Sequence, residues 1–286
     1  MKNNTMKILL CFLLIVSVSG FAQAIGNDQY VKAELMSPDL TIEPGHDFWL
    51  GVHFQIEDHW HIYWQNPGDA GMPPKIEWEL PGGITEIQTL WPLPKIISVA
   101  HLANYGYENE LILPVLFHAD ESLTIKKTIM LSASVNWLVC KESCIPGSAE
   151  STIELVISKT NPEKNPLWHE KFEYFYSRVP GADADWESTA VFGDSLIEIT
   201  LTPPSKTNVE KIKNLTFLPY SPDLIQHSSH QDWTVVGSQI KILLKKSPYL
   251  LSVPDEIGGV LSIESEQKKG TVRHGVILNI KNIRRN

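Results

Sequence analysis

Between residues 31 and 157 apolar side chains come in short runs broken by Pro, Gly and Asn clusters, a spacing that predicts strands. The clearest run is 128–139. There Ile129, Leu131, Ala133, Val135, Trp137 and Val139 alternate with Thr128, Ser132, Ser134 and Asn136, so odd positions face a core and even positions face away. Further strands are expected at 48–54, 62–64, 84–90, 111–117 and 151–157. The pattern changes at 159–185, where Asn161-Pro162-Glu163-Lys164-Asn165-Pro166, then residues 167–179, then Pro180-Gly181 suggest a linker with one short helix. Runs of strand character resume at 195–201, 215–218, 239–244, 259–265 and 275–280. The pattern is that of an all-β protein: a β-sandwich over 25–158, a linker over 159–185, and a second, smaller β-sandwich-like domain over 186–286.

The N-terminus departs from this alternation. Lys2 and Lys7 precede an apolar run at 8–18, followed by Gly20-Phe21-Ala22-Gln23-Ala24, the charged, apolar and small-residue order of a secretory signal. Residues 1–24 are therefore expected to be cleaved, taking Cys11 with them. The apolar run is shorter than the roughly 18 to 20 residues that span a bilayer as a helix, and no small residue stands before Cys11 as a lipid anchor would need. The remaining 262 residues carry 22 basic and 33 acidic side chains, a net charge of −11 against −9 for the whole chain. Such a balance argues against nucleic acid or an anionic membrane as partner.

Export delivers the chain to an oxidising compartment, where the two cysteines that remain, Cys140 and Cys144, are expected to pair. A bridge closing so short a loop constrains the unfolded chain by only about 2 kcal/mol, against almost 5 kcal/mol for a loop of roughly a hundred residues. Reinforcement is thus a poor reason for it, and chemistry a better one. If the alternation of 128–139 persists, Cys140 shares a face with Asn136 and Ser134 and its thiol is reachable. Lys141 would favour a thiolate and Glu142 would oppose it. Two thiols and two imidazoles can instead hold Zn²⁺ or Cu⁺, with His59 and His61 as candidates, although alternation equally makes those two histidines a polar surface stripe. Trp49, Trp60, Trp64, Trp78 and Trp91 read as packing aromatics, and no nucleophile elbow or metalloprotease motif is present.

Three blocks together resemble the N-terminal periplasmic domain of DsbD thiol:disulfide interchange proteins, especially the ScsB-type relatives with two β domains. They are His59-Trp60-His61-Ile62-Tyr63-Trp64-Gln65-Asn66-Pro67-Gly68, then Asn104-Tyr105-Gly106-Tyr107-Glu108-Asn109-Glu110-Leu111-Ile112-Leu113-Pro114-Val115, and the segment around Cys140 and Cys144. The resemblance implies an immunoglobulin-like sandwich whose cysteine pair takes electrons from a membrane-embedded donor and passes them to periplasmic thioredoxin-fold oxidoreductases, with no external cofactor. It implies that Cys144 is the nucleophile that forms the mixed disulfide and Cys140 the resolving thiol. It also implies an aromatic cap loop, here at Asn104, Tyr105 and Tyr107. The family cap carries an acidic pair and an aromatic before Tyr-Gly, whereas this chain has Ala103-Asn104, so Tyr105 or Tyr107 would do the shielding. The family's membrane domain and C-terminal thioredoxin domain have no counterpart in the sequence, so electrons are expected in trans. The competing expectation is an envelope metal-binding or adaptor protein with a structural disulfide.

Overall fold

A computed structural model describes residues 29–159, 162–182, 185–268 and 270–285. The signal segment and Cys11 lie outside them. Eleven strands form the first half: β1 (Val31–Met36), β2 (Thr41–Ile42), β3 (Asp47–Ile56), β4 (His61–Gly68), β5 (Lys75–Glu79), β6 (Ile84–Thr89), β7 (Lys95–Val99), β8 (Leu102–Glu108), β9 (Glu110–Ala119), β10 (Thr128–Cys140) and β11 (Cys144–Ile157). They make two sheets, ordered β1-β3-β9-β6 and β2-β11-β10-β4-β8-β7, with β5 alongside β10. Odd positions of β10 are buried, as the alternation requires: Leu131, Ala133, Val135, Trp137 and Val139 pack with residues such as Val52, Phe54, Ile62 and Leu113. This is an immunoglobulin-like sandwich, closed by apolar faces meeting across the two sheets.

A helix, α1 (His169–Tyr176), leads into β12 (Gly181–Ala182), β13 (Glu187–Phe192), β14 (Leu196–Thr202), β15 (Ile212–Pro219), β16 (Asp232–Val236), β17 (Gln239–Lys245), β18 (Ile257–Gln267), β19 (Gly270–Ile280) and β20 (Asn282–Arg285). Their sheets, β12-β19-β18-β15 and β16-β17-β14-β13-β20, enclose a second core around Ile199, Phe217, Ile242 and Leu261. The helix is not a free tether. Phe172 and Phe175 are buried in the first core, Lys171 pairs with Glu110 at 2.7 Å, and Trp168 sets its edge against His53. His53, itself buried, bridges Glu34 and Glu110.

The two halves are joined by specific polar contacts on an apolar floor. The first core extends to Leu218 and Val260 of the second half. Trp64 lies 5.8 Å from Tyr220, Asn66 donates to the Pro219 carbonyl at 2.6 Å, and Arg273 donates to the Pro94 carbonyl at 2.7 Å. The five tryptophans singled out in the sequence pack on the first half: Trp64 is fully buried, and Trp49, Trp60, Trp78 and Trp91 are partly buried against the same core.

Because Phe172 is 2 % exposed and fastens the helix to the sheet, truncating it should leave a cavity. Phe172→Ala is expected to destabilise the protein by about 3 to 5 kcal/mol, read as a lower midpoint in urea unfolding followed by tryptophan fluorescence. A midpoint within error of the parent would show that the helix contributes nothing to the fold.

Candidate functional site

The cysteine pair closes a hairpin. β10 and β11 run in register from Thr128↔Val156 to Cys140↔Cys144, and the last pair is bridged by the disulfide with Cα atoms 4.2 Å apart. The intervening Lys141, Glu142 and Ser143 are exposed, and the Lys141 amide donates to the Ser143 carbonyl at 3.2 Å. On its other edge Cys140 is the register partner of His61, and His61 in turn is the partner of Glu108. Directly opposed residues of an antiparallel ladder project to the same face. Glu108, His61, Cys140 and Cys144 therefore form one row across four strands, on the face opposite Val139 and Trp137.

Along that row the two cysteines differ sharply in exposure. Cys140 is 3 % exposed, whereas Cys144 is exposed. The expectation that Cys140 is reachable is thus corrected. The face follows from alternation, but at this end of the sheet it is covered rather than open, with His61 on one side of Cys140 and Cys144 on the other. The exposed member of the pair is Cys144.

Tyr63, two residues along β4 from His61 and on the same face, places its hydroxyl 3.6 Å from Cys144 Sγ. Burial pushes this phenol up to about 12, so it stays a neutral O–H able to donate to a thiolate at Cys144. Its ring is held down by Gly71, whose φ of +104° suits glycine and whose Cβ, if present, would collide with the ring. His61 is 2 % exposed, sets its ring edge-on to Tyr63 at 5.1 Å, and lies 3.4 Å from Asn104 Nδ2 through Nε2. Burial lowers the His61 pKa, and the carboxylate of Glu108 opposes that shift. Glu108 is itself paired with Lys95 at 2.9 Å.

The expected cap loop is a strand. Asn104, Tyr105 and Tyr107 belong to β8, paired with β4 and β7, and all three are buried. Asn104 faces the site through His61. The two tyrosines point the other way. Tyr107 donates to the Pro92 carbonyl at 2.6 Å, and Tyr105 meets His227 Nδ1 of the second half at 2.9 Å. Since His227 Nε2 must donate to the Pro222 carbonyl at 2.7 Å, its Nδ1 is the acceptor and the Tyr105 hydroxyl the donor. Neither Tyr105 nor Tyr107 therefore shields the pair, and the tyrosine that reaches Cys144 is Tyr63. The sequence signal for Tyr63 was its i, i+2 relation to His61 on β4. Nothing in the sequence pointed to His227.

The metal alternative gains no support from geometry. His59 is exposed in the turn before β4, in a left-handed conformation at φ 70°, while His61 is buried in the strand. They form neither a stripe nor a ligand pair, and among the described residues no three His, Cys, Asp or Glu side chains gather as a metal site.

The site is a disulfide-bridged hairpin at one end of a sandwich sheet, with one cysteine exposed and the other buried. Residues 29–155 match the family described as thiol:disulfide interchange protein DsbD, N-terminal. The first half is thus a DsbD N-terminal type domain. The fold of the whole chain is similar to the N-terminal periplasmic domain of ScsB from Proteus mirabilis, with a TM-score of 0.57 at 16 % identity over 88 % of this chain and 92 % of that one. The major pilin subunit BcpA of Bacillus cereus, as its D312A form, aligns at 8 % identity over 89 % of this chain and 68 % of that one. The sporulation control protein Spo0M of Bacillus subtilis aligns at 9 % identity over 87 % and 90 %. Their TM-scores of 0.28 and 0.23 are too low to indicate a shared fold. No curated protein matches the chain in sequence.

Gly71→Ala tests the clamp on Tyr63. A Cβ there must displace the ring, and a left-handed backbone costs an alanine about 1 to 2 kcal/mol. The variant is expected to be less stable by at least that amount and to reduce a small disulfide more slowly than the parent. Unchanged stability and unchanged exchange together would show that the clamp has no consequence.

Proposed function

We propose that this protein is a periplasmic thiol:disulfide oxidoreductase that relays electrons through the Cys140–Cys144 pair. The observation that carries this reading is the difference in exposure between the two bonded cysteines. A thiolate that attacks a disulfide must approach one sulfur and expel the other, and here only Cys144 is open to approach. Reduction by a membrane-embedded electron carrier would proceed through a mixed disulfide at Cys144, with Cys140 leaving as thiolate. In the second half-reaction reduced Cys144 attacks the disulfide of a periplasmic thioredoxin-fold protein. Cys140 then attacks Cys144 Sγ, reforms the internal bridge and releases the partner as dithiol.

Two electrons and two protons pass to the partner, and the carrier's disulfide is restored; no cofactor enters. Tyr63 assists by donating to the charge on Cys144 in the reduced state. Lys141 and Glu142 flank the pair in the exposed turn and contribute opposite charges to it. The negative charge of the chain and the secretory character of residues 1–24 suit an exported protein whose partners are other proteins. The family match of residues 29–155 and the fold likeness to the ScsB periplasmic domain support the same reading.

Roles divide cleanly by mutation. Cys144→Ser is expected to abolish reduction of a thioredoxin-fold substrate. Cys140→Ser is expected to retain attack but accumulate the mixed disulfide, visible as a covalent complex on a non-reducing gel. Equilibration of the parent protein in glutathione buffers should place the pair in the range of exchange proteins, about −270 to −120 mV. A potential below about −300 mV, or full activity in Cys144→Ser, would remove the relay reading.

A further inference from the structure

We propose that His61 is the proton acceptor for the Cys140 thiol in the resolution step, an inference that rests on the exchange reading above. In that step Cys140 must lose its proton before it can attack Cys144. The thiolate, not the thiol, is the nucleophile. Cys144, being exposed, can release its proton to water. Cys140, 3 % exposed, cannot do so readily and needs a base inside the protein.

His61 is placed to be that base by register rather than by chance proximity. It is the Cα partner of Cys140 across the β10–β4 ladder, so the two side chains leave the same face with Cβ atoms about 5 Å apart. It is 2 % exposed, which keeps both members of the pair out of bulk water. Burial also favours the neutral ring, the form that can take up a proton. The charged and titratable groups around it are Glu108 from β8, Lys95 from β7 paired with Glu108, Tyr63 from β4, Cys140 from β10 and Cys144 from β11. Of these, Glu108 stabilises the imidazolium once it forms.

Asn104 supplies the remaining part. Its Oδ1 is buried without a hydrogen-bond partner, while its Nδ2 lies 3.4 Å from His61 Nε2. Turning the amide end for end pairs the unsatisfied oxygen with an Nε2–H. That arrangement fixes the tautomer and leaves Nδ1 as the open lone pair. The same oxygen continues to accept from Nε2–H after Nδ1 is protonated, so the ring need not move as it charges. The step then balances: the Cys140 proton passes to His61, the Cys140 thiolate forms the S–S bond with Cys144, and the partner leaves as thiolate. His61 afterwards returns the proton to solvent or to the departing thiolate.

An aromatic disulfide, 5,5′-dithiobis(2-nitrobenzoate), separates the two halves of the reaction with the reduced full-length protein. Attack by Cys144 releases a first coloured thiolate, and resolution by Cys140 releases a second. In His61→Phe the first release is expected to stay within about twofold of the parent while the second slows about 10²-fold at neutral pH. The slowed phase should then rise steadily with pH, as expected when the thiol must ionise unaided. His61→Gln, which keeps a polar side chain beside Asn104 but cannot titrate in this range, should behave alike and guards against misfolding of the phenylalanine variant. A second phase of parental rate and pH profile in either folded variant overturns the proposal. Equal slowing of both phases also overturns it, by assigning His61 a structural role. Absence of any coloured release from the parent would instead overturn the exchange reading itself, and this inference with it.

Discussion

Everything at the redox end hangs on the register of β10 against its two neighbours. On one edge it sets Cys140 against Cys144, and on the other it sets Cys140 against His61. A slip of one residue would send each of these side chains to the opposite face. Such a slip is opposed by the apolar set on the odd positions, from Leu131 to Val139, which would then have to leave the core. Packing of one face of the strand therefore enforces the chemistry of the other. Gly147 strengthens the lock: it is the partner of Trp137, and a side chain there would collide with the indole.

β4 and β8 apply the same division between faces to join the two halves of the molecule. His61, Tyr63 and Asn104 look toward the cysteines, whereas Trp64 and Tyr105 look toward Tyr220 and His227 of the second half. Asn66, buried at 1 % exposure, ties β4 to Pro219. The strands that shape the site are thus braced from behind, and the second half is a physical support for the redox face. Docking of α1 through Phe172 and Lys171 adds a further attachment on the β1-β3-β9-β6 sheet.

Much of this was legible in the sequence. Alternation over 128–139 marks the strand that carries Cys140 and the face of each of its residues, because period-two patterning reports directly on which side is packed. The pairing of Cys140 with Cys144 is legible too, since they are the two cysteines left once the expected signal is removed. Exposure is not legible, since a side chain on the outer face of a strand can be flanked by residues from a neighbouring strand distant in sequence, and the register partner of Cys140 on β4, His61, stands more than seventy residues earlier. The stretch around Asn104–Tyr107 reads locally as a loop. Its Asn and Gly residues mimic turn chemistry, while its pairing with β4 and β7 is a long-range property that local composition does not record. Tyr63 and His227 escaped for the same reason: each acquires meaning only through a partner distant in the chain.

The bridge joins two residues that the ladder already holds opposite one another, twelve paired positions deep into a hairpin that needs no sulfur to stay closed. Opening it frees two thiols without releasing a loop or uncovering a core. The oxidised and reduced molecules should therefore be almost superimposable outside the pair. Under the proposed relay, shape then offers a partner little means of telling a charged carrier from a spent one, and the direction of traffic would be set by reactivity at Cys144 rather than by selective docking.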